Sequence, residues 1–244
     1  LWQQQFAAAG VDAAEGQRIL TYGKDDNWWE IVGAETSPAG PDTEMFYYTG
    51  DDKSPVFDPD GDEFIEVWNN VFMAYRRTAD GSYVELEHKN VDTGMGLERV
   101  AAMVQGVDTV FDTDLIAPIQ KQVFEYAEVA HEDVYRNAHG DHIRASRIIT
   151  DHLRSGVFMA GDGVVPSNTE RGYVMRRLLR RAIRQGLVLG IKKDLAESVA
   201  PTIVELYQDA YPELQENRNK ILDVLGNEEL IFRKTLDRGV REFE

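Results

Sequence analysis

The sequence predicts an α+β protein in which an antiparallel β-meander comes first and a set of helices follows. Three observations carry that prediction. Between residues 18 and 92, short runs of β-branched and aromatic residues are separated by turn chemistry, with Asp80-Gly81 as a hairpin signal between two of them. From Phe111 onward, apolar residues recur at helical spacing. No regular strand-helix alternation of the kind that builds a parallel sheet is present. The change of character divides the 244 residues into two domains, 1–110 and 111–244.

Leu1 to Gly16 reads as the end of a helix and a loop, and Arg18 to Tyr22 as a short strand before the polar turn Gly23 to Asn27. Trp28 to Val32 is strand-like. Neighbours on a strand face opposite sides, so at most one of Trp28 and Trp29 lines a given pocket. Glu35 to Pro41 has loop chemistry, Asp42 to Tyr48 resumes a strand, and Gly50 to Gly61 is an acidic loop. Phe64 to Tyr75 is the strongest strand signal. Asn69 and Asn70 interrupt it, and an unsatisfied buried amide costs about 1–3 kcal/mol. They read either as ligand contacts or as structural hydrogen bonds.

Ser82 to His88 alternates like a half-exposed strand. The stretch Asn90 to Arg99 then passes from a strand end, through Gly94 and Gly96, into a helix marked by Leu97, Val100, Ala101 and Val104 and stopped by Gly106. Two missing Cβ atoms would let a flat ligand lie against bare backbone. Arg99, in the first turn, offers a planar donor fork to a phosphate, and Asp92 offers a carboxylate to an ammonium. A glycine turn with a surface salt bridge is the other reading of the same residues.

In the helical half, Leu115 to Ala130 and Asp141 to Phe158 are amphipathic, the second with Ile143, Ile148, Ile149 and Leu153 inside and Arg144, Arg147 and Arg154 outside. His139, His142 and His152 lack supporting carboxylate spacing and read as caps or core polar groups rather than metal ligands. Ser167 and Glu170 stand at capping-box spacing, which predicts a helix from Asn168 or Thr169 that ends before Gly186. It carries Arg171, Arg176, Arg177, Arg180, Arg181 and Arg184, a basic face suited to a polyanion such as RNA or to pairing with acidic parts of the same chain. Residues 191–244 read as packing helices, Lys193 to Tyr207 and Glu216 to Glu244, without a catalytic signature.

The formal charge of −17 argues against diffuse binding to nucleic acid, where phosphate contacts dominate affinity. The charge is segregated, however: residues 131–190 hold ten Lys and Arg against six Asp and Glu. Cysteine is absent, which excludes disulfides and thiolate metal sites. No apolar run reaches the ~20 residues that span a bilayer, and no signal-peptide pattern opens the chain. A soluble, cytoplasmic protein without membrane contact is expected. Leu1 at the start and an unterminated helical pattern at Glu244 predict a piece of a longer protein.

Taken together, the runs Asp26-Asn27-Trp28-Trp29-Glu30, Gly40-Pro41-Asp42-Thr43-Glu44, Glu66-Val67-Trp68-Asn69, Val91 to Val100, and Pro166-Ser167-Asn168 through Arg184 resemble the alanyl-tRNA synthetases. These are class II enzymes that make alanyl-adenylate from alanine and ATP and pass alanine to its tRNA. The run Val91 to Arg99 resembles class II motif 3. The resemblance implies an incomplete class II antiparallel sheet with the motif 3 helix over 1–110, then an all-α tRNA-recognition domain over 111–244. It implies that Asp92 pairs with the alanine ammonium beside Asn69, that Trp29 walls the methyl pocket, and that Gly94, Gly96 and Arg99 receive ATP. Asn168 matches the asparagine that reads the G·U wobble pair of the tRNA-Ala acceptor stem, with Arg171, Arg176, Arg177, Arg180, Arg181 and Arg184 on its phosphates. Mg2+ is expected with ATP; its ligands are not identified, and Glu44 is one candidate.

The motif 2 arginine, the second wobble-pair contact and the editing domain are not among these residues, so the remaining domains of the same enzyme are expected partners. The expectation is that the chain alone does not activate alanine. The rival reading is a non-catalytic relative that holds acceptor stems.

Overall fold

Four strands form one antiparallel sheet in the order β1-β2-β3-β4, each paired with its neighbour in sequence. They are β1 (Trp28–Glu30), β2 (Ser37–Tyr48), β3 (Phe64–Arg77) and β4 (Tyr83–Met95). The computed structural model describes residues 1–52, 55–58, 61–127 and 140–243, without the side chains of residues 240 and 243. The expectations for Ala130 and His139 fall outside them. The chain forms two compact units, Leu1–Val110 and Phe111–Glu244.

In the first unit, helix α1 (Trp2–Ala8) precedes the sheet and α2 (Leu97–Gln105) follows it. The strand expected at Arg18 to Tyr22 does not form; only an isolated bridge joins Glu15 and Ile19. The loop expected at Glu35 to Pro41 is instead, from Ser37 on, the first half of β2. Pro41 is accommodated where the β2–β3 register shifts between Ala39 and Asp42 and the ladder is already irregular, while Pro38 stands opposite Arg76 in the regular part. Gly40 is required there, since a Cβ would collide with the Phe72 carbonyl oxygen. The Asp80-Gly81 turn closes β3 onto β4, with Gly81 at φ 82° and the Thr78 N–H donating to Ser82 O at 2.9 Å.

The face of the sheet that carries Trp28 is held by aromatic packing. Trp28 stacks on Tyr75 at 5.7 Å and meets the edge of Tyr83 at 5.1 Å. Tyr83 donates to Glu30 at 2.7 Å, and the Lys24 ammonium lies 4.1 Å from the Tyr83 ring centre. Such contacts are each worth about 0.5–1.5 kcal/mol. They fasten the short β1, three residues long, to the body of the sheet.

The second unit comprises α3 (Ala117–Tyr126), α4 (Asp141–Gly161), α5 (Glu170–Val188), α6 (Leu195–Tyr207), α7 (Pro212–Glu216) and α8 (Arg218–Phe243). Ile149, Leu153, Val157, Leu179, Leu195, Ile203, Ile221 and Leu225 are fully buried where these helices meet. Each contributes roughly 1.5–3 kcal/mol by leaving water. Arg147 and Arg154, expected outside, are half-buried: Arg147 lies 5.2 Å from the Phe111 ring centre and Arg154 donates to the Tyr207 hydroxyl at 3.2 Å. Long side chains reach back over apolar neighbours in this way.

Helix α5 does not stop at Gly186. That glycine is buried inside the helix, where a Cβ would come within 3.0 Å of Leu195, so it serves close helix packing rather than termination. Nor does the capping box form. The Ser167 hydroxyl donates to the Thr169 carbonyl at 2.8 Å, Thr169 is the N-cap, and Glu170 has φ 49°. The first N–H groups of α6 are instead capped from outside: Leu195 and Ala196 donate to the buried Glu229 carboxylate of α8 at 3.1 and 2.7 Å.

Candidate adenylate platform and nucleic-acid face

Strand register fixes the first site. Asp42, Thr43, Glu44 and Met45 of β2 stand opposite Val71, Asn70, Asn69 and Trp68 of β3, which stand opposite Asp92, Thr93, Gly94 and Met95 of β4. Side chains alternate, so Asp42, Glu44, Val71, Asn69, Asp92 and Gly94 share one face. Thr43, Asn70, Trp68 and Thr93 share the other, where Asn70 donates to the Thr43 hydroxyl at 3.4 Å and Trp68 donates to that of Thr93. The two asparagines that sequence left ambiguous therefore separate. Asn70 makes a structural bond and Asn69 faces the carboxylates. Trp29 pairs with Gly40, two residues before Asp42, and so aligns with the Asp42 face while Trp28 joins the aromatic cluster behind.

At the end of β4, Gly96 is the N-cap of α2 and its N–H donates to Val67 O at 3.0 Å. A Cβ on Gly96 would press within 3.1–3.3 Å of the Arg99 side chain. Arg99 uses that space to reach β3: its Nη1 donates to the Glu66 carbonyl at 2.7 Å and lies 3.6 Å from the Glu66 carboxylate. The guanidinium remains half-exposed, with donors left for an anion.

Carboxylates dominate the electrostatics of this face. Burial pushes the Glu44 carboxyl up to about 7, aided by repulsion from Glu66, Asp42 and Asp26. Burial also raises Asp42, which is 8% exposed and whose Oδ1 has no hydrogen-bond partner. A face that strains to hold negative charge favours an incoming cation. Among the described residues no group of three or more His, Asp or Glu side chains is arranged to hold a metal ion. Glu44 therefore has no ready-made metal cage around it among the described residues.

The second unit carries the basic helix, and the structure divides its six arginines. Arg171, Arg177, Arg181 and Arg184 are exposed, together with Tyr173 and Val174. Arg176 and Arg180 turn inward to Glu228 on α8, which is 4% exposed; their Nε atoms lie 3.4 and 2.7 Å from its Oε1. Asn168 is exposed just before the helix and accepts a hydrogen bond from Arg176. Val165 to Gly172 wraps this corner, with the Ser167 N–H donating to Gly172 O at 3.0 Å. Sequence reading missed Glu228 and the pairing of Glu66 with Arg99. Glu228 was detectable in principle, because it falls on the apolar stripe Ile221, Leu225, Phe232.

An antiparallel sheet whose last strand runs through Asp92-Thr93-Gly94-Met95-Gly96 into a helix bearing Arg99, with Asn69 and carboxylates on the adjoining strands, defines a class II aminoacyl-tRNA synthetase catalytic fold. A family model described as tRNA synthetases class II (A) matches residues 7–244, and the chain belongs to that family. It is 46% identical over 231 residues to alanine–tRNA ligase 1 of Lachnoclostridium phytofermentans, covering 92% of this chain and 25% of that protein. The alanine–tRNA ligase of Caldicellulosiruptor saccharolyticus is 41% identical over 244 residues, covering 96% and 26%. That of Clostridioides difficile is 42% identical over 228 residues, covering 91% and 25%. The chain thus spans about a quarter of the length of these relatives. Among the described residues no helix is long and apolar enough to cross a membrane.

Proposed function

We propose that this chain is part of an alanine–tRNA ligase, supplying half of the site that forms alanyl-adenylate from alanine and ATP and a helical face that holds the acceptor stem of tRNA-Ala. The alignment of Asp92, Asn69 and Gly94 on one face, with Arg99 at its end, carries the reading. The alanine ammonium pairs with Asp92 within reach of the Asn69 amide, and Trp29 bounds the methyl group. Adenosine lies over the bare backbone at Gly94 and Gly96, and Arg99 takes the phosphates. In the reaction the alanine carboxylate attacks the α-phosphorus and pyrophosphate leaves. A terminal ribose hydroxyl of the tRNA then attacks the activated carbonyl and AMP leaves. Asp92 and Arg99 act by binding and orientation, not by proton transfer. The names of the relatives support the choice of amino acid.

In the second unit, Asn168 reads the wobble pair, and Arg171, Arg177, Arg181 and Arg184 lie along the phosphates, with Arg176 and Arg180 behind them. The editing and further tRNA-binding domains of the same enzyme, a cytoplasmic setting and Mg2+ delivered with ATP complete the proposal. The resemblance matches none of these 244 residues to the motif 2 arginine. Its clamp on the α-phosphate is worth about two to three powers of ten in rate. The 244-residue chain alone is therefore proposed to bind its ligands without activating alanine.

Calorimetric titration of the chain with alanine and with ATP tests the site. Asp92→Asn is expected to remove alanine binding and leave ATP binding intact; loss of both, or of neither, overturns the assignment. Alanine-dependent pyrophosphate exchange by the chain at a full ligase's rate overturns the statement that it is inactive alone. Binding of acceptor stems by a chain that takes neither alanine nor ATP would favour the non-catalytic module.

A further inference from the structure

Glu228 is a buried carboxylate that the proposed chemistry does not use. It lies on α8 in line with Ile221 and Leu225, where an apolar residue would be expected, and it is held there by two arginines of α5. Arg180 donates to its Oε1 at 2.7 Å, and Arg176 forms an ion pair with the same oxygen, its Nε 3.4 Å away without a hydrogen bond. Arg176 then spends the far edge of its guanidinium on the loop ahead of α5. Its Nη2 donates to the Pro166 carbonyl at 3.1 Å and its Nη1 donates to Asn168 Oδ1. One planar group thus bridges a buried anion and an exposed amide. A guanidinium has donors only, so it accepts the oxygen end of an amide and excludes the nitrogen end.

We propose that Glu228, acting through Arg176, is a positioning residue that fixes the orientation of the Asn168 amide and thereby the specificity of acceptor-stem recognition. The inference rests on the reading of Asn168 as a base-pair contact. With Oδ1 held by Arg176, Asn168 presents its NH2 as the outward group, a donor aimed at an acceptor on the base-pair edge. Without the anion behind it, Arg176 loses its anchor and the amide can turn over. That exchange of donor for acceptor degrades discrimination between base pairs while the exposed arginines keep their hold on phosphates. Arg176 is in this view a spacer between core and loop, not a phosphate contact.

The test uses the full chain and two acceptor-stem RNA duplexes that differ only in a G·U or a G·C pair at the wobble position. Wild type, Asn168→Ala, Glu228→Gln and the double variant are compared by dissociation constant, with thermal unfolding run alongside. Glu228→Gln is expected to lower the G·U preference roughly tenfold, about 1.4 kcal/mol, while affinity for the G·C duplex is retained. The double variant is expected to discriminate no worse than Asn168→Ala alone. Arg176→Lys keeps the charge but cannot bridge both partners, so it is expected to repeat the Glu228→Gln result and carries the test by itself if Glu228→Gln does not fold. Retained preference in these variants, or equal weakening of both duplexes, overturns the relay while a sensitive Asn168→Ala leaves the reading of Asn168 standing. If Asn168→Ala keeps the wild-type preference, or the wild type has none, the reading of Asn168 falls and the relay with it.

Discussion

Asn69 and Gly94 stand directly opposite each other across the β3–β4 ladder, and a Cβ at position 94 would lie 3.2 Å from Asn69 Oδ1. The glycine therefore does two things at once. It leaves the strand surface flat, and it lets the Asn69 amide keep its place. Gly94→Ala adds one methyl group that the amide must yield to by a few tenths of an ångström. The strand conformation tolerates alanine, so stability is expected to change little. Affinity for alanine and ATP is expected to fall about tenfold, the cost of a misplaced methyl of roughly 1–3 kcal/mol. Calorimetric titration checks this, and unchanged affinities would separate Asn69 from the ligand.

Glu44 carries a pH dependence. Its carboxyl is pushed from an ordinary 4.5 up to about 7, first by burial and then by Glu66, Asp42 and Asp26. Between these two values the folded chain holds a proton that the unfolded chain has released. The stability tied to this group is therefore complete below pH 4.5 and is lost as pH rises through 7. Glu44→Gln is expected to gain stability over wild type at pH 8 and to lose that advantage at pH 5, measured by urea unfolding. Side-chain carbon NMR should find Glu44 titrating near neutrality, and Glu66→Gln should move it back toward the ordinary range. A Glu44 that titrates near 4.5 in the folded chain contradicts its burial and the repulsion from Glu66, Asp42 and Asp26.

How much of this was legible beforehand depended on whether the signal was local. The β3 run, the Asp80-Gly81 turn and the Gly106 stop declare themselves within a few residues, and each forms where the sequence predicts. The passage from strand to helix at Gly94 to Arg99 was equally plain, because its glycines and its helical spacing act on their own neighbours. The failures were tertiary. Pro38 and Pro41 read as loop, yet both join β2, Pro41 where the register shifts against β3 and Pro38 opposite Arg76. Gly186 read as a helix stop, yet it is a contact surface for Leu195, invisible without the partner helix. Arg176 and Arg180 could not be told from Arg177 and Arg181 on α5 alone. The carboxylate that separates them lies 48 residues beyond Arg180.

That separation is open to a direct comparison. Arg177→Glu and Arg181→Glu alter exposed groups on α5. Each is expected to weaken tRNA binding and to reduce the salt dependence of log K by about one unit per lost phosphate contact, with stability unchanged within ~0.5 kcal/mol. Arg180→Ala removes the 2.7 Å partner of buried Glu228. It is expected to cost about 1–3 kcal/mol in folding stability for an anion left half-satisfied. Thermal unfolding and filter binding across a salt series distinguish the two groups. If Arg180→Ala proves as stable as Arg177→Glu, the inward and outward arginines do not differ as the structure has them.

Gly172 sets the geometry of the corner on which Asn168 stands. A Cβ there would collide with the Ser167 side chain and lie 2.5 Å from the Val165 carbonyl oxygen, which is backbone and has nowhere to go. The same corner is closed by the bond from the Ser167 N–H to Gly172 O. Gly172→Ala must therefore open the turn, at a cost of about 1–3 kcal/mol for overpacking. Asn168 would be carried away from Arg176. Gly239 on α8 is exposed and has nothing within 4 Å of its missing Cβ, so Gly239→Ala is expected to stabilise the chain by roughly 0.5–1 kcal/mol. The contrast removes the general effect of replacing a helical glycine. In wobble-pair discrimination Gly172→Ala should behave like Asn168→Ala, and Gly239→Ala like wild type. A Gly172→Ala chain that folds and still prefers the G·U duplex would show that recognition does not depend on the shape of this turn.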